Sequence, residues 1–287
     1  MLLYKYIKNK GFIMKKSFLI IDANNLVHRA YHGYGKLSVK RDDFLIYGFK
    51  TMLGNLLRDF DPEYLSVVFD DDGDNFRHRL FPDYKANRPK KTDEMSEQFL
   101  LIREWAKKEF PYFSVPDYEA DDVIGTLVKK SESHGGFKNT VVSSDKDITQ
   151  LVSESTEVYN SQAKIMYNKE RVFERFGVYP DKILDFLSLQ GDVSDNVPGV
   201  FKCGPASAVR LLNHFGSVEA ILEDPDAAYN VLKSNKDIII NQFKDSPEKV
   251  LMAKKLITLD CDVPLELKLK DIRANSKKKI KNKLRMS

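Results

Sequence analysis

The sequence predicts an α/β protein with a mostly parallel central sheet flanked by helices. Three short apolar runs, SFLIID, LSVVFD and TVVSSD, have the length and β-branched content of buried strands, and each ends in an aspartate. The stretches between these runs have the apolar periodicity of amphipathic helices. Strands that alternate with helices favour parallel pairing through right-handed crossovers.

The helices between the strands follow from the spacing of apolar residues. DDFLIYGFKTMLGNLLRDF separates the first two strands, and its apolar residues between Phe44 and Leu57 mark one helical face. DEMSEQFLLIREWAKKEF and EADDVIGTLVKKSE lie between the second and third strands and show the same pattern. TEVYNS is expected to add a fourth strand.

After about residue 178 the pattern changes to short helices and turns. Two short helices are expected to flank a glycine-rich turn from Gly199 to Gly204, with Pro205 at the entry of the second helix. Ser217 is in position to cap the helix that follows. We expect the last helices to pack back on the α/β unit.

The length of 287 residues allows one or two domains, since a domain averages roughly 150 residues. Cys203 and Cys261 lie far apart and show no ligand spacing, which argues against a zinc site or a secreted disulfide scaffold and favours a reducing cytoplasm. No apolar run approaches the ~20 residues of a membrane span. The predicted segments are an N-terminal extension (1–13), an α/β domain (14–178), a helical region (179–262) and a basic tail (263–287).

The net charge of +4 hides a segregation of basic residues. Seven basic or potentially basic side chains lie between Arg77 and Lys91, and the tail from Lys268 to Arg285 carries nine Lys and Arg against one Asp. Basic surfaces of this kind suit a polyanion such as nucleic acid. For the tail, a disordered solubilising end is an equally good interpretation.

Acidic residues are expected to meet at one edge of the sheet. Parallel strands point the same way, so Asp22, Asp70 and Asp145 should converge at the carboxyl ends, where open α/β sheets bind ligands. The segment DYEADD opens a helix that crosses the sheet and can join them. The predicted cluster comprises Asp22, Asp70, Glu119, Asp121, Asp122, Asp145, Asp147, Asp192 and Asp195.

So many carboxylates can ionise together only if cations compensate them. Oxygen ligands without His or Cys select Mg²⁺ or Mn²⁺, and the number of acids suggests two or more ions, which is typical of phosphodiester hydrolysis. Each acid alone has a structural explanation as well. Acids in the first turn of a helix complement its dipole, and Asp at a strand end is common in turns.

Several motifs occur in the order of a known family: FLIIDANN, VVFD, FRHRLFPDYKANRP, YEADDVIGTL, SSDKDITQLV, FGVYPDKILDFLSLQGDVSDNVPGV and LLNHFGSVEAIL. With them the chain resembles the 5′-3′ exonuclease and flap endonuclease family, from about residue 17 to 260. It is most similar to the 5′ nuclease domain of bacterial DNA polymerase I and to stand-alone phage 5′ nucleases. Because no polymerase sequence follows, the free-standing form is expected.

The resemblance implies a PIN-like nuclease fold and specific roles for the acids. Asp22, Asp70, Glu119 and Asp121 would hold the first metal ion. The resemblance assigns the second site, directly or through water, to Asp122, Asp145, Asp147, Asp192 and Asp195.

The stretch FRHRLFPDYKANR falls where the family has a helical arch, here about residues 76–110, that admits a 5′ single strand. Arg77, Lys85 and Arg88 can neutralise phosphates, and the Tyr84 ring can stack on an unpaired base. The resemblance implies that Lys85 steers and stabilises the scissile phosphate. An exposed basic loop that only aids solubility is the alternative.

VPGVFKCGPASAVRLL resembles the helix-three-turn-helix with which the family grips duplex DNA. The expected DNA-binding residues of this turn are Gly199, Val200, Lys202, Gly204 and Ser207. The family has glycine where Lys202 stands and a Lys-Thr pair where Ala206 and Ser207 stand. These differences leave undecided whether this chain makes one of the family's phosphate contacts and whether it binds the potassium ion often found in this turn. A purely structural helical hairpin is the alternative interpretation.

The function implied is a metal-dependent, structure-specific 5′ nuclease that removes RNA primers or flaps in DNA replication or repair. We expect a monomer that acts on DNA near a replication polymerase, in a bacterial cytoplasm or a phage-infected cell. A non-catalytic junction-binding protein and a PIN-like ribonuclease are the rival hypotheses.

Overall fold

The computed structural model describes residues 16–35, 42–89 and 92–274. The predicted N-terminal extension and the tail beyond residue 274 lie outside the described residues. The described strands are β1 Lys16–Asp22, β2 Tyr64–Val68, β3 Tyr112–Phe113, β4 Phe137–Val142, β5 Thr156–Asn160 and β6 Ile165–Tyr167.

The six strands form one sheet in the order β3-β2-β1-β4-β5-β6. The first five strands pair in parallel and β6 is antiparallel to β5. The predicted mostly parallel sheet is therefore confirmed, including the fourth predicted strand, which is β5. The two-residue β3 and the three-residue β6 were not predicted, because segments so short carry no periodicity.

Helices cover both faces of the sheet. Along β1, Phe18 and Ile20 belong to one apolar core and Leu19 and Ile21 to the other, since successive strand residues point to opposite faces. In the first part of the chain the helices are α1 Ala23–Tyr34, α2 Phe44–Phe60, α3 Phe76–Leu80, α4 Asp93–Glu109 and α5 Ala120–His134.

The second part of the chain is helical, as predicted. Pro205 is the first residue of its helix, and the Ser217 side chain accepts a hydrogen bond from the Ala220 N–H. The helices there are α6 Lys169–Phe176, α7 Ile183–Gln190, α8 Pro205–Phe215, α9 Val218–Glu223, α10 Pro225–Val231, α11 Lys236–Asp245 and α12 Pro247–Ile257. Within the described residues, no helix is long and apolar enough to cross a membrane.

The segment 263–274 differs from the predicted basic tail, because it packs against the α/β unit. Val263 and Ile272 are each only 1% exposed. The Ile272 carbonyl accepts from the Leu65 N–H at 2.8 Å, and the Ala274 N–H donates to the Glu63 carbonyl at 2.9 Å. Buried apolar side chains and backbone hydrogen bonds, and not the lysines, anchor this segment.

An Ile272→Val substitution should therefore lower the free energy of unfolding by about 0.5–1.5 kcal/mol, the usual cost of removing one buried methyl group. Ile238→Val is the matched control, because Ile238 is exposed on α11. Urea unfolding of both variants measures the difference. Equal, near-zero losses would show that the 263–274 segment is not anchored.

Candidate active site

The carboxyl ends of the strands open into one cavity of about 490 Å³. Asp22 is the last residue of β1, Asp70 follows β2, and Asp145 follows β4. The start of α5 lies at the same edge, because the Ala120 N–H donates to Asp70 Oδ1 at 2.7 Å. Six of the nine predicted acids line the cavity: Asp22, Asp70, Glu119, Asp121, Asp145 and Asp195.

Asp22 is fixed on both carboxylate oxygens. Its Oδ1 caps α1 by accepting from the Asn25 N–H at 2.9 Å, and its Oδ2 accepts from the Ser143 hydroxyl at 2.7 Å. Burial, with smaller contributions from the nearby Asp70 and Asp145 charges, raises the pKa of Asp22 to about 7. Asp22 is thus held rigidly in a place that disfavours its negative charge.

Glu119 is the acid best supplied with donors. The Asn75 amide donates to its Oε1 at 2.9 Å, the Tyr84 hydroxyl donates to its Oε2 at 3.0 Å, and the Lys85 ammonium forms an ion pair with it. Burial alone would raise the pKa of Glu119, but the Lys85 and Arg77 cations outweigh burial, so its pKa lies below the usual range. Glu119 is therefore ionised at neutral pH.

Asp121, Asp145 and Asp147 have the opposite electrostatic environment. Burial first, and then the charges of neighbouring acids, raise the pKa of each of these carboxyl groups. Asp147 Oδ1 is buried without a hydrogen-bond partner among the described residues. When ionised, these three carboxylates concentrate negative charge that the described protein groups offset only in part, which is what a cation site requires.

Asp122 lies outside the cavity, contrary to the predicted metal set. It forms a bidentate ion pair with Arg77, and both N–O distances are 2.7 Å. It also accepts hydrogen bonds from the backbone N–H groups of Asp260 and Glu119. Both of its oxygens are therefore occupied by protein donors in a fully buried position. Asp122 joins α5 to α3 and to the segment that follows α12 instead of facing a ligand.

Arg77 was predicted to contact phosphates, and its position does not allow this. The residue is 1% exposed, and besides Asp122 it donates to the carbonyls of Leu256 and Thr258, both at 2.8 Å. Asp122, 45 residues further along the chain, neutralises the Arg77 charge that the sequence pattern suggested was available for DNA. Arg77 is a buried structural cation.

Tyr84 also differs from its predicted role as a stacking platform. Its ring is buried, with 4% exposed, and its hydroxyl donates to Glu119 and, at 3.3 Å, to Asp195. The ring face is therefore covered by protein. Tyr84 orients two acids of the cavity.

Lys85 and Arg88 line the cavity. The Lys85 ammonium contacts Glu119 and lies 3.7 Å from Asp195 Oδ2, and the Arg88 guanidinium pairs with the same Asp195. The remaining acid, Asp192, lies beside the cavity and pairs with Lys146 at 3.0 Å. Burial tends to raise the pKa of Asp192, but hydrogen bonds from Ser194 and Lys146 lower it below the usual value.

The predicted DNA-binding turn forms a second, open concavity of about 530 Å³ between α7 and α8. Val200 and Ser207 have buried side chains, so only their backbones can face a ligand. Gly199 approaches the chain at Gln190 so closely that a Cβ there would clash with the Gln190 carbonyl. Lys202 is exposed and has a φ of 66°, a left-handed conformation that favours the glycine seen in the family.

The sequence did not identify several other residues at the carboxylate cavity. The Asn24 amide bonds Asp70, and Asn24, Asn25, His28 and Ser194 line the carboxylate cavity. The signal available for Asn24 and Asn25 was their place just after the β1 aspartate, and His28 lies one helical turn beyond Asn24 in α1.

Comparison with known proteins gives two consecutive family matches. The family described as "5'-3' exonuclease, N-terminal resolvase-like domain" matches residues 17–177, and "5'-3' exonuclease, C-terminal SAM fold" matches residues 178–280. A "5'-3' exonuclease" of Aquifex aeolicus is 38% identical over 261 residues, covering 90% of this chain and 86% of the relative. DNA polymerase I of Bacillus caldotenax is 37% identical over 266 residues, but the chain spans only 30% of its length.

Solved structures show the same fold. The zinc-bound 5′-exonuclease of bacteriophage T5 superposes with a TM-score of 0.71 at 22% identity, covering 94% of this chain and 97% of the phage protein. The catalytic core of Rad2 in complex with DNA substrate gives a TM-score of 0.56 at 16% identity, covering 90% and 84%. At these identities the likeness concerns the fold.

Proposed function

This chain belongs to the 5′-3′ exonuclease and flap endonuclease family, and we propose that it is a metal-dependent nuclease that cuts a phosphodiester bond where an unpaired 5′ strand meets a duplex. The observation that carries the proposal is the cavity at the sheet edge. Acids from five separate segments line it, and Lys85 and Arg88 stand at the same place. A site with clustered negative charge beside cations fits a phosphate held between metal ions and basic side chains.

Divalent metal ions fit the acids of the cavity. In the described part of the chain no three His, Cys, Asp or Glu side chains form a ready coordination shell. Mg²⁺ does not need one, because it keeps several waters and takes one or two carboxylates. The unpartnered Asp147 Oδ1 and the raised pKa values of Asp121 and Asp145 indicate charge that a cation would compensate.

We assign Mg²⁺, with Mn²⁺ as a substitute, to the predicted acids without Asp122. When bound, two or more such ions would supply an activated water and stabilise the leaving oxygen. The proposed ligands, direct or through water, are Asp22, Asp70, Glu119, Asp121, Asp145, Asp147, Asp192 and Asp195.

The basic residues and the turn have separate tasks in this proposal. Lys85 and Arg88 bind the non-bridging phosphate oxygens and orient the bond to be cut. The turn from Gly199 to Gly204 binds the duplex through backbone N–H groups, and Lys202 adds a charge there. A potassium ion in this turn belongs to the proposal as well, with the Lys202 ammonium as its competitor.

The biological role that we propose follows from the nuclease activity. Cleavage would leave a 5′-phosphate and would remove RNA primers and flaps during replication or repair. The enzyme would act as a monomer in the cytoplasm of a bacterium or of a phage-infected cell. A replication polymerase is the proposed partner. Support comes from DNA polymerase I relatives, whose matching segment is 30% of their length.

A labelled 5′-flap duplex tests the proposal against its rivals. It is incubated with Mg²⁺ and with EDTA, beside a 3′-flap duplex and single-stranded RNA. We expect Mg²⁺-dependent cutting of the 5′-flap near its junction. Binding without cutting, in Mg²⁺ or Mn²⁺, would favour a junction-binding protein, and preferential cutting of the RNA would favour a ribonuclease.

The stability of the metal-free protein should depend on pH through the same acids. Folded Asp22 has a pKa of about 7 against 3.8 for the free side chain, so between these values the folded state holds the extra proton. The free energy of unfolding must then decrease as pH rises through this window. In EDTA we expect a lower melting temperature at pH 8 than at pH 5.5, and a smaller difference in the Asp22→Asn variant.

Saturating Mg²⁺ should restore the melting temperature at pH 8, because a cation favours the ionised acids. The restoration is measured by thermal unfolding at both pH values. A melting temperature that rises with pH in EDTA would contradict the assignment of uncompensated charge to the cavity.

A further inference from the structure

Two loops meet at the cavity and exchange hydrogen bonds in both directions. The cation loop, residues 81–89, carries Lys85 and Arg88, and the acid loop, residues 191–197, carries Asp192 and Asp195. The Asn87 side-chain amide donates to the Val193 carbonyl at 2.7 Å. In return the Asn196 side-chain amide donates to the Asp83 carbonyl at 2.8 Å.

Between these two contacts, the Lys85 N–H donates to the Asp195 carbonyl at 2.9 Å. Lys85 has a φ of 59°, and Asn196 has a φ of 56°. The left-handed region suits asparagine and disfavours lysine, because the lysine Cβ crowds the following carbonyl oxygen. The hydrogen bonds on either side therefore hold Lys85 in a backbone conformation that it would not prefer, and in that conformation its ammonium contacts Glu119.

The acid loop is also joined to the turn proposed to bind duplex DNA. Asp192 and Val197 close the loop by exchanging backbone hydrogen bonds of 2.9 and 2.8 Å. Gly191 and Gly199 pack so tightly that a Cβ on either would clash with the backbone of the other segment. The turn from residue 199 to 204 therefore begins in direct backbone contact with the acid loop.

We propose that Asn87 and Asn196 are positioning residues that fix Lys85 at the carboxylate cavity and couple its place to the duplex-binding turn. The inference rests on the proposed nuclease function. Each asparagine acts through the partner loop's backbone, and among the described residues its amide bonds no carboxylate. A duplex seated on the 199–204 turn thereby sets the acid loop, and the acid loop sets the backbone of Lys85.

The variants Asn87→Ala and Asn196→Gly remove the two donors, and glycine keeps the left-handed backbone of residue 196. Asn235→Gly is the matched control, since Asn235 is an exposed asparagine with a φ of 53° before α11. Single-turnover cleavage of the 5′-flap duplex should fall about 10-fold or more in the double variant, a typical cost for a group that orients an active-site residue. Its affinity for the duplex should change by less than about twofold, and the control should match wild type.

A double-mutant cycle with Lys85→Ala separates an effect on the position of Lys85 from a general destabilisation of the protein. If the asparagines act through Lys85, their removal should lower the rate by less than about twofold in the Lys85→Ala protein. An equal fall in both backgrounds, an unchanged rate in the wild-type background, or a loss confined to duplex affinity would overturn the proposal.

Hydrogen exchange provides an arm that does not depend on activity. The Lys85 amide, which donates to Asp195, should exchange faster in the double variant than in wild type and in Asn235→Gly. Unchanged exchange would overturn the proposal. If the wild-type protein cut no flap, the proposed nuclease function would be refuted. The hydrogen-exchange comparison would still decide whether the two asparagines hold Lys85 in place.

Discussion

Replacing Asp121 with asparagine is expected to lower Mg²⁺-dependent cleavage of a 5′-flap duplex by at least about a hundred-fold. Residues that only orient metal ligands cost 10- to 100-fold, so a ligand itself should cost no less. Asp121 lies in the first turn of α5, and the charges of Asp145, Asp22, Glu119 and Asp70 all act on its carboxyl group. Asparagine keeps the shape of the side chain and removes the charge that a cation needs.

The same substitution should stabilise the metal-free protein, because burial and like charges raise the pKa of Asp121 and its ionised form is unfavourable. Cleavage rate and thermal unfolding in EDTA are therefore expected to change in opposite directions. Asp226→Asn is the control, since Asp226 is exposed and pairs with Lys244 away from the cavity. Undiminished cleavage by Asp121→Asn would remove Asp121 from the metal site.

Replacing Arg77 with methionine should lower the free energy of unfolding by about 3–5 kcal/mol, the usual cost of leaving one partner of a buried ion pair unpaired. The Arg77 and Asp122 side chains are 2% and 0% exposed, so water could not solvate the Asp122 carboxylate once its partner is removed. Urea unfolding at neutral pH measures the loss.

Arg79→Met is the matched control. Arg79 pairs with Asp117 at equally short N–O distances, but these side chains are 62% and 40% exposed, so water screens the pair and the expected loss is much smaller than for Arg77→Met. Adding Asp122→Asn to Arg77→Met should recover part of the stability, because it removes the stranded charge. Similar losses for the two arginine variants would contradict a structural role for the buried pair.

The strand ends could be predicted because local pattern decides them. Asp22, Asp70 and Asp145 each follow an apolar run, and parallel strands bring such residues together whatever the rest of the chain does. These three acids line one cavity, where the start of α5 adds Glu119 and Asp121 and the acid loop adds Asp195. The helices α2, α4 and α5 were predictable for a similar reason, since their apolar spacing is long and regular.

The sequence could not show which charged side chains are neutralised by ion pairs inside the protein. Arg77 and Arg88 belong to the same basic stretch, yet Arg77 pairs with Asp122 in the interior and Arg88 lies at the cavity. That difference depends on how α3 packs against α5 and α12, which motif spacing does not contain. The bonds of Asn87 and Asn196 to the opposite loop are likewise tertiary contacts between distant segments.

Counting bound metal ions tests the central claim most directly. Mn²⁺ is titrated into EDTA-treated, dialysed protein, and free Mn²⁺ is followed by electron paramagnetic resonance. The wild-type chain should bind about two or more ions saturably, as paired-metal nucleases do, and Asp121→Asn should bind fewer or bind them more weakly. No saturable binding by the wild-type chain, or identical binding by Asp121→Asn, would contradict a metal site built from the acids at this edge of the sheet.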